Sequence, residues 1–192
     1  YAFELAAQRN GHLTSATKSN GIIHTMPFWD TVFAELAAEY ESIEVDQYHI
    51  DALVAMFVLD PSRFDVVVAS NLFGDILTDL SAAAAGSIGI APSANINPEG
   101  KFPSMFEPVH GSAPDIAGRG IANPVGQVWS ACLMLEHLGE TQAADDLMTA
   151  MLSTISDGAT TPDVGGTSNT AEVASELYTR IATSATRQHS PK

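Results

Sequence analysis

The chain has 192 residues, 45% of them hydrophobic, enough to bury a core as one domain or two small ones. Its 8 Lys and Arg stand against 23 Asp and Glu, a formal charge of −15 with no basic cluster, which excludes nucleic acid and anionic membranes as partners. The longest apolar stretches, 50–59 and 121–135, are interrupted by Asp51, Asn123 and Gln127 and are too short to span a bilayer.

The residues from Tyr1 to Arg9 form an amphipathic pattern with Phe3, Leu5 and Ala6 apolar and no capping residue ahead, as if the chain opened inside a helix. A short strand is expected over 12–17, then a helix over 27–40 with Pro27 in its first turn, where the missing amide hydrogen is harmless. A second strand, 43–48, leads into a helix over 51–59 that Pro61-Ser62 ends. The apolar strand 66–69 then enters a helix over 71–85. This alternation implies an α/β layer.

From Gly86 the composition changes. The stretch 86–109 is rich in Gly, Pro and Asn with short extended pieces, and three helices are expected over 124–138, 141–156 and 170–185. A domain boundary is placed near Ala85, giving domains 1–85 and 86–192, with a frayed polar end over 186–192. No targeting peptide is read at the N-terminus. Cys132, the single cysteine, lies in an apolar helical run and reads as a small core residue, which fits a reducing cytoplasm. Trp29 and Trp129 fall at apolar helical positions and read as core or subunit packing. His24, His49, His137 and His189 lack ligand spacing and read as structural or exposed.

One run carries chemistry by its spacing. In Asn71-Leu-Phe-Gly-Asp75-Ile-Leu-Thr-Asp79 the two carboxylates are four apart on one helical face at the C-terminal end of a strand, where both can reach one hard cation. An ordinary helix start, with Asp75 favouring the dipole, explains the same pattern. Spacing alone does not choose between them.

The longer run from Asn71 through Gly86-Ser-Ile-Gly89 resembles the shared motif of the decarboxylating 2-hydroxy-acid dehydrogenases, the isocitrate, isopropylmalate and tartrate or D-malate enzymes. Glu107-Pro-Val-His-Gly-Ser-Ala-Pro-Asp115 with Ala122-Asn123-Pro is similar to that family's nucleotide-binding loop, and Thr161-Pro-Asp-Val-Gly-Gly-Thr167 to its C-terminal loop. Within the family, Ser15-Ala-Thr-Lys18-Ser-Asn20-Gly and Tyr48-His-Ile-Asp51 resemble the tartrate/D-malate branch.

The resemblance implies a two-domain α/β fold of the isopropylmalate dehydrogenase type, here incomplete, since family members are nearly twice as long. The N-terminal half, with its substrate arginines and proton-donating tyrosine, is expected to be missing. The resemblance assigns 1–85 to the small dimerisation and metal-binding domain and 86–192 to the nucleotide-binding domain. It implies metal-dependent oxidative decarboxylation of D-malate or tartrate with hydride transfer to NAD, or alternatively of 3-isopropylmalate. A non-catalytic dimerisation or nucleotide-binding fragment is the rival of another class.

Site residues follow from the same resemblance. Lys18, otherwise read as a solvated lysine, becomes the base that takes the hydroxyl proton. Asp51, otherwise a helix-initiating residue, becomes catalytic and a third ligand, beside Asp75 and Asp79, to Mg2+ or Mn2+. Lys18 and Asp51 are expected to serve the other subunit of a homodimer, with helices 27–40 and 71–85 contributing to its interface. Asn20, otherwise a turn residue, is placed near the nicotinamide. Glu107, His110, Gly111, Ser112, Ala113, Pro114, Asp115, Ala122 and Asn123 are assigned to the cofactor, although no G-x-G-x-x-G is present and a plain turn is the ordinary reading. Asp115, able to accept hydrogen bonds from a ribose diol and to repel a 2′-phosphate, favours NAD over NADP.

Overall fold

The computed structural model describes residues 1–188, with side chains through residue 183. The chain divides into two compact units, the first covering Tyr1–Ala84 and the second beginning at Ala85.

The first unit runs α1 (Ala2–Gln8), β1 (His12–Thr17), α2 (Met26–Ala37), β2 (Glu44–His49), α3 (Ile50–Leu59), β3 (Val66–Val68) and α4 (Asn71–Ala84). Its three strands form one parallel sheet in the order β2-β1-β3, with Thr17 opposite His49 and Leu13 opposite Val66. Both faces of the central strand are covered, so β1 is buried from Leu13 to Thr17 without the polar alternation of a half-exposed strand. Leu13 packs with Phe3 and Ala6 of α1, Val66 and Phe33 of α2. Ala16 meets Leu53 of α3 and Phe73 and Leu77 of α4.

Three hydroxyls on β1 are buried, and two of them, Ser15 and Thr17, have side-chain partners, while Thr14 Oγ1 has none among the described residues. Ser15 Oγ accepts from Trp29 Nε1 at 3.0 Å and Gln47 Nε2 at 3.3 Å, and Thr17 Oγ1 donates to Asp30 Oδ1 at 2.5 Å. Trp29 is thus a packing residue with a polar tether, joining α2 to the strand that ends just before Lys18.

Asp65 ties the end of α1 to the entry of β3, accepting from Arg9 Nε at 2.8 Å and the Asn10 amide at 2.9 Å. Burial pushes its carboxyl up, and the Arg9 and Asn10 hydrogen bonds outweigh burial, leaving it below the usual carboxylate range. A carboxyl lowered by folding stabilises the native state above its unfolded pKa of about 3.9, and that contribution disappears as pH falls through the folded value. In urea titrations across acidic pH, Asp65→Asn should therefore be less stable than the parent near neutrality and show a shallower loss below about pH 4.

In the second unit, β4 (Pro92–Asn95) pairs antiparallel with β5 (Met105–Pro108), and α5 (Val125–His137), α6 (Thr141–Ser156) and α7 (Thr170–Gln188) follow. Gly126 lets α5 begin against backbone: a Cβ there would lie 2.8 Å from the Gly89 carbonyl oxygen and 3.2 Å from that of Ala91. Cys132 is fully buried, and burial pushes its thiol up, leaving an inert core residue. His137 stands 3.1 Å from Ser104 Oγ, its ring against Phe106.

Element ends differ from the sequence reading by one to three residues, the usual spread at helix ends. The helix expected over 27–40 ends at Ala37, and the last one continues past residue 185 to Gln188. Helix α7 thus includes 186–188 of the end expected to be frayed; the remainder, 189–192, and His189 lie outside the described residues. Among those described, no helix is long and apolar enough to cross a membrane.

Candidate active site

In the first unit, each residue assigned to chemistry follows the C-terminal end of a parallel strand, the edge where open α/β sheets bind ligands. Lys18 comes directly after β1, Asp51 lies in the first turn of α3 after β2, and α4, bearing Asp75 and Asp79, follows β3. Backbone bonds from the Gly21 and Ile22 amides to the Lys18 carbonyl, 2.9 and 2.7 Å, fold the chain sharply after the lysine. Asn20 is exposed in that turn.

Lys18 Nζ donates to Asp51 Oδ1 at 2.5 Å. That hydrogen bond holds the Asp51 carboxyl below the usual carboxylate range. The Asp51 side chain is 69% exposed, so this ionised group has access to a ligand.

On α4 the two faces are distinct. Phe73, Leu77 and Ala82 are buried, whereas Asp75 and Asp79 are exposed together with Leu72 and Ile76. Two adjacent carboxylates suit a hard divalent cation by donor type, but such a cation takes six or more oxygens. Among the described residues no three His, Cys, Asp or Glu side chains come together to hold a metal ion. A single copy therefore does not join Asp51 to Asp75 and Asp79: the first belongs to the Lys18 pair, the others to the outer face of α4.

In the second unit a pocket of about 690 Å³ lies among four loops. His110, Gly111, Ser112, Ala113, Ala122 and Asn123 line it, so six of the residues assigned to a cofactor share one wall. Ala113 adopts a left-handed conformation, φ 41°, unusual for a residue with a Cβ, and turns the chain into a 3-10 turn at Pro114–Ile116. His110 Nδ1 is 2.9 Å from the Gly111 carbonyl oxygen.

Glu107, Pro114 and Asp115 are not in the lining. Glu107 is held opposite Ser93 in the β4–β5 ladder, and Pro114 and Asp115 open the 3-10 turn beyond the wall, with Asp115 exposed. Instead the wall includes Ser87, Gly89, Asp163 and Thr170. Burial pushes the Asp163 carboxyl up, and hydrogen bonds from Ser87, Thr161 and Asn123 outweigh it, leaving the group below the usual range.

A family model described as isocitrate/isopropylmalate dehydrogenase matches residues 1–177. The chain belongs to that family. It is 62% identical over 181 residues to a probable tartrate dehydrogenase/decarboxylase of Bacillus subtilis (strain 168), covering 94% of this chain and 51% of that protein. It is 54% identical over 183 residues to the D-malate dehydrogenase (decarboxylating) of Escherichia coli (strain K12), covering 92% and 51%. The crystal structure of isocitrate dehydrogenase from Methylococcus capsulatus superposes with a TM-score of 0.89 at 41% identity, over 94% of this chain and 54% of that one. The chain thus has the family's α/β fold and spans about half the length of the curated relatives it matches.

Ser87, Gly89 and Asp163 stand inside two of the blocks that carry the resemblance to this family, where spacing gives none of them a role. Their signal was a Ser, a Gly and an Asp in Gly-rich loops. Their convergence depends on the fold.

Proposed function

We propose that this chain is part of a homodimeric, metal-dependent, NAD-linked decarboxylating dehydrogenase acting on D-malate or tartrate. The observation that carries the reading is the Lys18–Asp51 pair at the carboxyl edge of the parallel sheet, with two exposed carboxylates on the helix after the neighbouring strand. Relatives bearing the names tartrate dehydrogenase/decarboxylase and D-malate dehydrogenase support the substrate class.

Oxidising a 2-hydroxy acid needs a group to take the hydroxyl proton as hydride leaves C2. Lys18 takes that proton on Nζ, which requires the amine to be neutral and its pair with Asp51 to open. Asp75 and Asp79 of one copy, with Asp51 of a second, would hold Mg2+ or Mn2+, which lowers the barrier as negative charge develops on the substrate oxygen. The pocket of the second unit would hold NAD, the hydride acceptor, with Asp115, in the loop just past the lining residues 110–113, favouring a free ribose diol over a 2′-phosphate. The first unit is then the metal-binding and dimerisation domain and the second part of the nucleotide domain. Exposed Leu72 and Ile76 on α4 and Phe28, Val32 and Leu36 on α2 give a second copy apolar surface to cover. A reducing cytoplasm is the compartment we assign, consistent with the free, buried Cys132.

The intact protein, assayed for NADH formation with manganese, should turn over D-malate or tartrate in preference to 3-isopropylmalate. A strong preference for the last would overturn the branch assignment, and absence of NAD reduction with all three would overturn the reaction. A second reading, a non-catalytic fragment, is supported by the chain's span of about half the length of its curated relatives. NAD reduction by the 192-residue chain alone, at the rate of the intact protein, would refute it.

A further inference from the structure

Asp163 occupies an odd place for a carboxylate: it lines the pocket assigned to an anionic dinucleotide, yet no cationic side chain is among its hydrogen-bond partners. Its partners are instead three neutral donors from three separate segments. Asp163 Oδ2 accepts a short hydrogen bond from Ser87 Oγ and one from Asn123 Nδ2 at 3.0 Å, while Oδ1 accepts from Thr161 Oγ1.

The bonds continue on both sides. Ser87 Oγ accepts from the Gly89 amide at 2.9 Å, and Asn123 Oδ1 accepts from the Val125 amide at 3.0 Å at the start of α5. A carboxylate accepts only, so it forces both hydroxyls to donate and turns the Asn123 amide with its nitrogen inward and its oxygen toward Val125. Gly89 leaves room for this closure: a Cβ there would lie 3.0 Å from Asn123 Cβ and 3.1 Å from both Asp163 Oδ2 and Ser87 Oγ.

We propose that Asp163 is a positioning residue for the nucleotide pocket, a central acceptor that fixes the segments around Ser87, Asn123 and Thr161 into one wall. The inference rests on the assignment of this pocket to NAD and adds a residue to it that touches the ligand's surroundings rather than the reacting atoms. Charged acceptors make the stronger hydrogen bonds, so one carboxylate can order the three segments that meet at it.

The test measures NAD binding to the intact protein by calorimetry, beside steady-state kinetics and a thermal melt. Asp163→Ala should raise the NAD dissociation constant and KM roughly tenfold or more, with kcat at saturating NAD unchanged. Asp163→Asn should recover most of that affinity, because its amide oxygen can face Ser87 and Asn123 while its nitrogen donates to Thr161. Parent-like NAD affinity in Asp163→Ala overturns the proposal, and so does a fall in kcat with KM for NAD unmoved. If the alanine variant does not fold, Ser87→Ala carries the test, weakened NAD binding supporting the proposal and unchanged binding overturning it. Failure of the parent itself to bind NAD would instead remove the nucleotide assignment.

Discussion

Replacing Lys18 by Met in the intact protein should lower kcat for D-malate by about 10²–10⁴-fold, the contribution of a positioned general base, with little change in KM for NAD. The substitution keeps the length and apolar stem of the side chain and removes only the group that accepts the proton. Stability should hardly change, because the Asp51 partner is 69% exposed and a solvated ion pair adds little to folding. A melt close to the parent's therefore separates lost chemistry from lost structure. The shared-site arrangement gives a sharper check. Lys18→Met and Asp75→Asn copies, each inactive alone, should regain activity when mixed, since one of the two sites in a heterodimer then has both residues. No recovery on mixing, with heterodimers demonstrably formed, would place all the residues in one copy.

Gly166→Ala should be the most disruptive single methyl in the second unit. An ideal Cβ at Gly166 would lie 1.9 Å from the Thr160 carbonyl oxygen and 2.3 Å from Thr160 Oγ1. The carbonyl cannot step aside, because the loop is closed on itself by the Gly166 amide to the Thr161 carbonyl and the Ser168 amide to the Thr160 carbonyl, both 3.0 Å. Thr161 is 1% exposed, so the loop is anchored in the core at the point of collision. Overpacking costs about 1–3 kcal/mol where side chains can adjust. With backbone on one side of the clash the upper end is expected, read as a drop in the urea midpoint. Gly111→Ala is the control: nothing lies within 4 Å of its added methyl, and its stability should stay within about 0.5 kcal/mol of the parent.

Much of the first unit was legible because its pattern is local. The i, i+4 spacing of Asp75 and Asp79 placed them on one face, and Phe73 and Leu77 at the same interval are the buried side of the same helix. The apolar Val66–Val68 segment, bracketed by helices, read as a strand for the same reason. Long-range polar pairing was not legible. Ser15 and Thr17 look like surface residues until Trp29, Gln47 and Asp30 are folded over them, and Ser87 meets Asp163 across 76 positions of chain. Likewise no local pattern reveals that Pro114 and Asp115 fall beyond the pocket lining, since that depends on the left-handed turn at Ala113.

Helix α4 answers to three surroundings at once, and this sets how freely its sequence can vary. Phe73, Leu77 and Ala82 are committed to the core; Asp75 and Asp79, as proposed ligands, to a cation; Leu72 and Ile76, as proposed contacts, to another copy. Seven of its 14 positions carry such a duty, and of the rest Asn71, Thr78, Ala83 and Ala84 are exposed. Where an ordinary surface helix tolerates change along its whole outer side, this one has its outer side divided, and neutral drift is left the exposed positions between the committed ones.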